Sequence, residues 1–178
     1  MPAVINRTMK TPPLNLSEVF NQSLIEMFAA EKKYLKAFEA MAHTAFTPEL
    51  GSALSPESID IESHSSRLQL IMESQRLKTS RVTSTLDDEL LKSAKEVAGF
   101  TKQKSILKDL QLLHTGKTIL EIKTGNYEVL YLMATELKLT QPASLLEQSF
   151  KDLQNAISYL KQISQNIIYP AAKASGSE

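Results

Sequence analysis

The sequence has no cysteine and no tryptophan, and only 5 of its 178 residues are glycine. The absence of cysteine excludes disulfides, thiolate catalysis and zinc sites built on cysteine. The scarcity of glycine, together with long stretches rich in Leu, Lys, Glu, Ala, Ser and Gln, favours helices over sheets. We therefore predict an all-α protein.

An excess of one charge is also missing, since Lys and Arg together number 20 and Asp and Glu together number 20. No overall field therefore favours nucleic acid, an anionic membrane or an acidic partner. No apolar run approaches the roughly 18 residues of a membrane-spanning helix, and the first seven residues lack the apolar core of a signal peptide. We expect a cytoplasmic protein with neither a nucleic-acid nor a membrane partner.

The two ends differ in composition from the middle of the chain. Residues 1–14 contain three prolines and no apolar periodicity, and residues 169–178 are small and polar with one proline. Both patterns predict disorder, as an N-terminal arm and a C-terminal tail. Residues 15–168 are predicted to form a single domain.

Apolar residues recur at spacings of three and four along four long segments. The first helix is predicted to begin at Asn15, because Asn15-Leu-Ser-Glu18 is typical of an N-cap with a reciprocal acid. The second long helix follows Thr47-Pro48, and Pro56 either kinks that segment or begins its main helix. It is predicted to end at about Gln75.

The remaining helices follow a polar link after residue 79. A short helix is predicted from about Thr85 to Gly99, the third long helix from about Thr101 to Lys138, and the fourth from Thr140. An antiparallel four-helix bundle with a short extra helix in the crossover between its second and third long helices is the ferritin-like arrangement.

Polar residues on the predicted buried stripes are the candidates for chemistry, because a buried charge requires a partner. Glu31 falls on the inward stripe of the first helix. Glu57 and His64 lie two turns apart on the second, with Asp60 one turn before the imidazole. Carboxylates with a histidine at such spacing are what a metal centre inside a helical bundle uses.

Each candidate also has a structural interpretation. Glu31 could lie at the edge of the stripe or pair with a cation, either Lys36 or one on a neighbouring helix. Glu57 could be a helix-start acid stabilised by the helix dipole, and His64 a buried histidine beside a carboxylate. His43 and His114 have no acid at ligand spacing and are interpreted as structural or exposed.

Several motifs resemble the YciE/YciF-type ferritin-like family of bacterial stress-associated proteins. The resemblance spans roughly residues 14–167, and its segments are Leu16-Ser-Glu-Val-Phe20, Met27-Phe-Ala-Ala-Glu-Lys-Lys33, Pro48-Glu-Leu50, His64-Ser-Ser-Arg-Leu68, the Tyr127 region and Leu145-Leu-Glu147. The resemblance implies a bundle similar to di-iron or di-manganese carboxylate proteins, usually dimeric, with no settled biochemical activity.

The family's metal positions are only partly retained. By resemblance, Glu31 matches the acid of an alanine-acid-lysine motif, His64 matches a histidine of the second helix, and Glu57 stands where another histidine is usual. The family's run of acid, histidine, aromatic and acid on the next long helix falls on Leu120-Glu-Ile-Lys123. On the last helix a pair of acids falls on Asp152-Leu153, and a later acid falls on Ile157. Leucine therefore replaces expected ligands at Leu120 and Leu153, which predicts a degenerate site.

Three functional hypotheses follow. The first is a non-catalytic bundle without cofactor, a homodimer with a structural or interaction role in stress physiology and a protein partner that the sequence does not identify. The second is a di-iron or di-manganese carboxylate protein with ferroxidase or peroxide-handling activity and an atypical ligand set, or with a mononuclear site at Glu31, Glu57, Asp60 and His64. The third is a helical adaptor unrelated to ferritins. Apolar residues beyond the main stripes predict the dimer surface, namely Ile25, Ile119, Val129 and Ile168.

Overall fold

The computed structural model describes residues 12–176, and the regular structure in that range is entirely helical. The prediction of an all-α protein is confirmed. The helices are α1 (Leu16–Thr44), α2 (Pro48–Ala53), α3 (Pro56–Ile59), α4 (Ile61–Ser74), α5 (Thr85–Gly99), α6 (Ile106–Glu136), α7 (Thr140–Ile163) and α8 (Tyr169–Ser175), with a π-helical turn (Ser164–Ile168) between α7 and α8. No helix in this range combines the length and the apolar character needed to cross a membrane.

Side-chain caps explain where the long helices begin. Asn15 accepts a hydrogen bond from the Glu18 backbone N–H at 3.0 Å, so the predicted start of α1 is confirmed. Ser105 accepts from the Lys108 backbone N–H at 3.2 Å, and α6 therefore begins at Ile106 rather than at the predicted Thr101. A serine that satisfies an orphan N–H favours a helix start at its own position.

The second predicted long helix is divided at Asp60. Pro56 begins the single turn of α3, and Asp60 follows it in the left-handed region with φ 63°. Because a left-handed residue ends the α-helical hydrogen-bond ladder, α4 starts again at Ile61 in a new direction. Glu57 and His64 therefore do not share one continuous helix face, which corrects the prediction from their spacing.

The long helices pack side by side around one apolar core. α6 contacts α7 along most of its length, α1 packs against α4, α5 and α6, and α4 packs against α7. At Gly116 of α6 an added Cβ would lie 2.6 Å from a Leu54 methyl carbon, so the buried Leu54 side chain would have to shift to admit it. The core includes Phe20, Leu24, Phe38, Leu68, Leu112, Leu153 and Leu160.

Two predicted surface features lie inside the fold. Ile119 and Ile168, expected at a dimer surface, are both fully buried in the chain's own core. Val129 is about half exposed and Ile25 is partly buried. Ile119 and Ile168 therefore cannot contribute to a second interface.

The C-terminal segment is more ordered than the sequence predicts. α7 continues through the π-helical turn into α8, where a disordered tail is expected for residues 169–178. Pro170 is compatible with α8 because the first turn of a helix needs no N–H donor. Residues 1–11 of the predicted arm and residues 177–178 of the predicted tail lie outside the described residues.

Candidate functional site

A group of charged and polar side chains lies between α1, α4, α6 and α7, each of which contributes to it. We call it the central polar cluster, and its members are Glu31 of α1, His64 and Arg67 of α4, Lys123 and Tyr127 of α6, and Asp152 of α7. Glu31, His64, Lys123 and Tyr127 are buried, whereas Arg67 and Asp152 lie at its outer side.

The centre of the cluster is an ion pair between Glu31 and Lys123. Glu31 is 2% exposed and Lys123 is 3% exposed. The Lys123 Nζ donates to Glu31 Oε1 at 2.5 Å, and the Tyr127 hydroxyl donates to the same oxygen at 2.9 Å. Glu31 Oε2 accepts no hydrogen bond from the described residues. The carboxylate is thus neutralised by a neighbouring helix, as one interpretation of Glu31 expects, with Lys123 as the cation rather than Lys36.

Aromatic rings enclose this ion pair. The Lys123 ammonium lies 4.9 Å from the centroid of the Tyr34 ring, which adds a cation–π attraction. The Tyr34 hydroxyl donates to Asp87 Oδ1 at 2.7 Å. Burial, with the charge of Asp87 as a second cause, raises the pKa of Tyr34. Burial likewise raises the pKa of Tyr127, and the negative charge of Glu31 adds to that shift. Both phenols therefore remain protonated donors.

His64 lies beside the ion pair without a hydrogen bond of its own. Its ring centroid is 5.5 Å from that of Tyr127, and neither ring nitrogen has a partner among the described residues. Nε2 is 3.8 Å from Asp152 Oδ2, too far for a hydrogen bond. Burial lowers the pKa of His64 to about 2, helped by the positive charges of Lys123 and Arg67.

Asp152 is engaged by Arg67 rather than by the histidine. Arg67 Nη1 donates to Asp152 Oδ2 at 2.5 Å and to Ser149 Oγ at 3.1 Å. Because the guanidinium already compensates this carboxylate, Asp152 does not hold a proton on His64. The imidazole is consequently neutral at physiological pH.

The four candidate ligands from the sequence do not meet. Glu31 and His64 belong to the central polar cluster, and Tyr127 touches both. Glu57 and Asp60 instead line an open outer cleft of about 630 Å³ between α1 and the α3–α4 segment, and Asp60 reaches the outer side of the cluster, with Oδ2 3.8 Å from Arg67 Nη2. The left-handed conformation of Asp60 separates α3 from α4 and so directs Glu57 and Asp60 towards this cleft. His43 and His114 are exposed.

The residues present do not fit a di-metal centre. Such a centre needs about six side-chain ligands from four helices. Leu120 and Leu153 are both 0% exposed and present hydrocarbon to the interior, and the Lys123 ammonium lies against the carboxylate of Glu31. Within residues 12–176 no group of three or more His, Cys, Asp or Glu side chains could hold a metal ion.

Sequence reasoning missed the role of Lys123. The lysine precedes Tyr127 by four residues and follows Leu120 by three, so helical spacing places it on the buried face of α6. This spacing could have indicated that Lys123 is buried. Lys108 of α6 is likewise buried, and it donates to the carbonyls of Ala98 and Thr101 at 3.0 and 2.6 Å.

Two solved structures of bacterial proteins have a similar fold. The E. coli stress protein YciF is 21% identical with a TM-score of 0.79, over 86% of this chain and 97% of that one. YcfI from Rhodopseudomonas palustris, described as a proposed structural protein, is 20% identical with a TM-score of 0.76, over 83% of this chain and 94% of that one. Among curated proteins none matches. Residues 15–173 match the family described as a domain of unknown function, DUF892, and the chain belongs to that family.

Proposed function

We propose that this protein is a non-catalytic, ferritin-like four-helix bundle of the YciE/YciF type, with a structural or interaction role under stress. In this proposal the Lys123 ammonium takes the place that metal ions occupy in di-iron and di-manganese bundles. The observation that carries the proposal is the distance of 2.5 Å between Lys123 Nζ and Glu31 Oε1.

Charge balance supports this proposal. Glu31 and Lys123 compensate each other inside the bundle, and Asp152 and Arg67 do so at its edge. A divalent cation at Glu31 would have to displace the ammonium and leave it buried without a counter-ion. Breaking a buried pair in this way costs about 3–5 kcal/mol. With Leu120 and Leu153 in place of acids, little new ligation would offset that cost.

The similar structures support the biological part of the proposal. YciF is described as a stress protein, and YcfI as a proposed structural protein. At 20–21% identity these structures support the fold alone. The stress role and the homodimer in our proposal come from the family resemblance. An enzyme that oxidises ferrous iron or handles peroxide is the opposing hypothesis, and no contact in the central polar cluster favours it.

Metal retention tests the proposal directly. The purified protein is stripped with chelator, loaded with ferrous iron or Mn²⁺, desalted and analysed by elemental mass spectrometry, and aerobic iron oxidation is followed by absorbance. We expect the native chain to retain well under one ion per chain and to oxidise iron no faster than buffer. The variant Leu120→Glu/Lys123→His/Leu153→Glu, which introduces a Glu-x-x-His pair on α6 and a further acid on α7, should retain metal.

A matched control separates ligation from polarity. The variant Leu120→Gln/Lys123→Gln/Leu153→Gln introduces similar side-chain volumes without carboxylates or imidazole, and it should retain no metal. Retention of one or two ions by the native chain, lost in Glu31→Ala, would contradict the proposal whether or not the redesigned variants fold.

A further inference from the structure

Positive charge is concentrated in one cleft on the outer side of the bundle, although the whole chain is neutral. The cleft lies between the middle of α1 and the irregular segment that follows α4, and it has a volume of about 740 Å³. Its walls are Lys32, Lys33, Lys36, Thr79, Ser80 and Arg81, over a floor of Phe28 and Ala29. Every charged residue of the lining is therefore cationic, and we call this site the basic cleft.

The cations of the basic cleft differ in how they are compensated. Lys33 donates to Thr83 Oγ1 at 2.9 Å and lies 3.8 Å from Asp88 Oδ1, so it fastens the irregular segment to α1. Lys32, Lys36 and Arg81 form no ion pair with a carboxylate of residues 12–176. Three positive charges thus face the cleft without an anion from the described part of the chain.

Hydroxyl groups add donors to the same walls. Ser80 Oγ accepts a hydrogen bond from the Val82 N–H at 3.1 Å, which leaves the hydroxyl proton available to donate. The Thr79 hydroxyl has no hydrogen-bond partner within the described residues. Lys32 Nζ lies 4.7 Å from the centroid of the Phe28 ring, and this contact holds the ammonium over the floor.

We propose that the basic cleft binds a small linear polyphosphate group, a diphosphate or triphosphate. Lysine ammonium groups and an arginine fork are the side chains that suit phosphate oxygens. Lys32 and Lys36 are one helical turn apart, about 6 Å along the axis of α1, a span better matched by linked phosphates than by one. This binding is independent of the central polar cluster and of the function proposed above.

The composition of the cleft disfavours a nucleic-acid strand. Proteins that bind single strands stack successive bases on exposed aromatic rings. The aromatic residue here, Phe28, is buried, and Lys32 covers its face. Recognition in the basic cleft therefore depends on charge and on hydroxyl donors, which suits phosphate groups without attached bases.

Titration calorimetry with sodium tripolyphosphate, at about 50 mM salt where screening is weak, tests this proposal. We expect saturable binding at one site per chain. The variant Lys32→Gln/Lys36→Gln/Arg81→Gln should weaken binding by at least about tenfold, the effect of about 1.4 kcal/mol. The variant Lys32→Arg/Lys36→Arg retains both charges. Its Kd for tripolyphosphate should lie within about threefold of that of the native chain, a difference well below the about 1.4 kcal/mol that corresponds to tenfold.

The control variant Lys95→Gln/Lys102→Gln/Lys161→Gln removes the same charge from exposed positions elsewhere, and its binding should match the native chain. Equal loss in the cleft and control variants would overturn the proposal, because it would show unspecific attraction. Inorganic phosphate, a short single-stranded DNA or poly-glutamate binding as tightly as tripolyphosphate would also overturn it. Circular dichroism of each variant establishes that these exposed substitutions leave the helices intact.

Discussion

At the scale of single residues, two basic side chains of the central polar cluster differ in their partners. Lys123 Nζ lies 2.5 Å from Glu31 Oε1, and Tyr127 shares the carboxylate. His64 has no such counter-ion, since the nearest carboxylate, Asp152, is bound by Arg67. Burial therefore favours a neutral imidazole. The cluster as a whole holds two negative and two positive charges, which explains how it is tolerated inside the protein.

The neutral state of His64 makes the stability of the protein dependent on pH. The pKa is about 2 in the folded chain and 6.5 in the unfolded chain, so the unfolded state binds more protons as the pH falls below 6.5. Stability is therefore lost on acidification. Between about pH 7.5 and pH 5.0 this residue should lower the free energy of unfolding by roughly 2 kcal/mol.

Urea unfolding at both pH values measures this effect. His64→Gln removes the titrating group, and its stability should change less across this interval than that of the native chain. His114→Gln, at an exposed position, should behave like the native chain. An unchanged pH dependence in His64→Gln would show that the imidazole is not buried in its neutral form.

The sequence placed Glu31 on the inward stripe and left its counter-ion open between Lys36 and a cation of a neighbouring helix. An acid on an apolar stripe is conspicuous, and the requirement for a counter-ion follows from its burial. The identity of that counter-ion depends on how α1 and α6 are placed, and several lysines were eligible. Lys36 was the candidate closest in sequence, but the residue that binds is Lys123, 92 positions away along the chain.

At the scale of helices, the cap at Asn15 was predictable and the break at Asp60 was not. Asn15 marks the start of α1 because its side chain satisfies a backbone donor locally. The break at Asp60 depends on a left-handed residue that is not glycine, a conformation that is uncommon although aspartate adopts it more often than most residues. Tertiary contacts fix it, because Ile59 and Ile61 on either side are both fully buried.

The two glycines of α6 allow a matched test of helix packing. A Cβ at Gly125 would have no atom within 4 Å, whereas one at Gly116 would lie 2.6 Å from Leu54 Cδ2. Gly125→Ala should therefore raise the free energy of unfolding by about 0.5–1 kcal/mol through helix propensity. Gly116→Ala should cancel that gain and lower stability by about 1–3 kcal/mol through overpacking.

Chemical denaturation of both variants gives the comparison, with the native chain as reference. Stabilisation by Gly116→Ala as large as that by Gly125→Ala would contradict the close contact between α6 and Leu54. Gly116→Ala/Leu54→Val, which shortens the opposing side chain, should recover part of the lost stability and thereby identify the clash as the cause.

At the scale of the whole molecule, charge is distributed unevenly over a neutral chain. Lysines and Arg81 surround the basic cleft, and the outer cleft beside α3 is lined by Glu39, Glu57, Asp60 and Glu62. Because the total charge is zero, the composition predicted no overall attraction for an anion. A local positive site depends instead on which helices lie together, and composition gives no information on that packing.

The remaining apolar surface concerns the proposed homodimer. With Ile119 and Ile168 buried, the exposed apolar residues at the start of α5 and in the second half of α6 are Leu86, Val129 and Leu132, each about half exposed. Leu86 and Val129 line the same shallow cleft, and Leu132 is one turn beyond Val129 on α6. An apolar group of this kind is suited to the centre of an interface, which buries about 800 Å² on each partner.

We expect light scattering at tens of micromolar to give twice the monomer mass for the native chain. Val129→Glu/Leu132→Glu should give a monomer, because two carboxylates would be buried without partners where two apolar side chains each contribute about 1.5–3 kcal/mol. Leu70→Glu, at a similarly exposed position on α4, should leave the dimer intact. A monomeric native chain would refute the homodimer itself, whereas a dimeric double variant would place the interface on another face. The two results are distinguishable because the first needs no substitution.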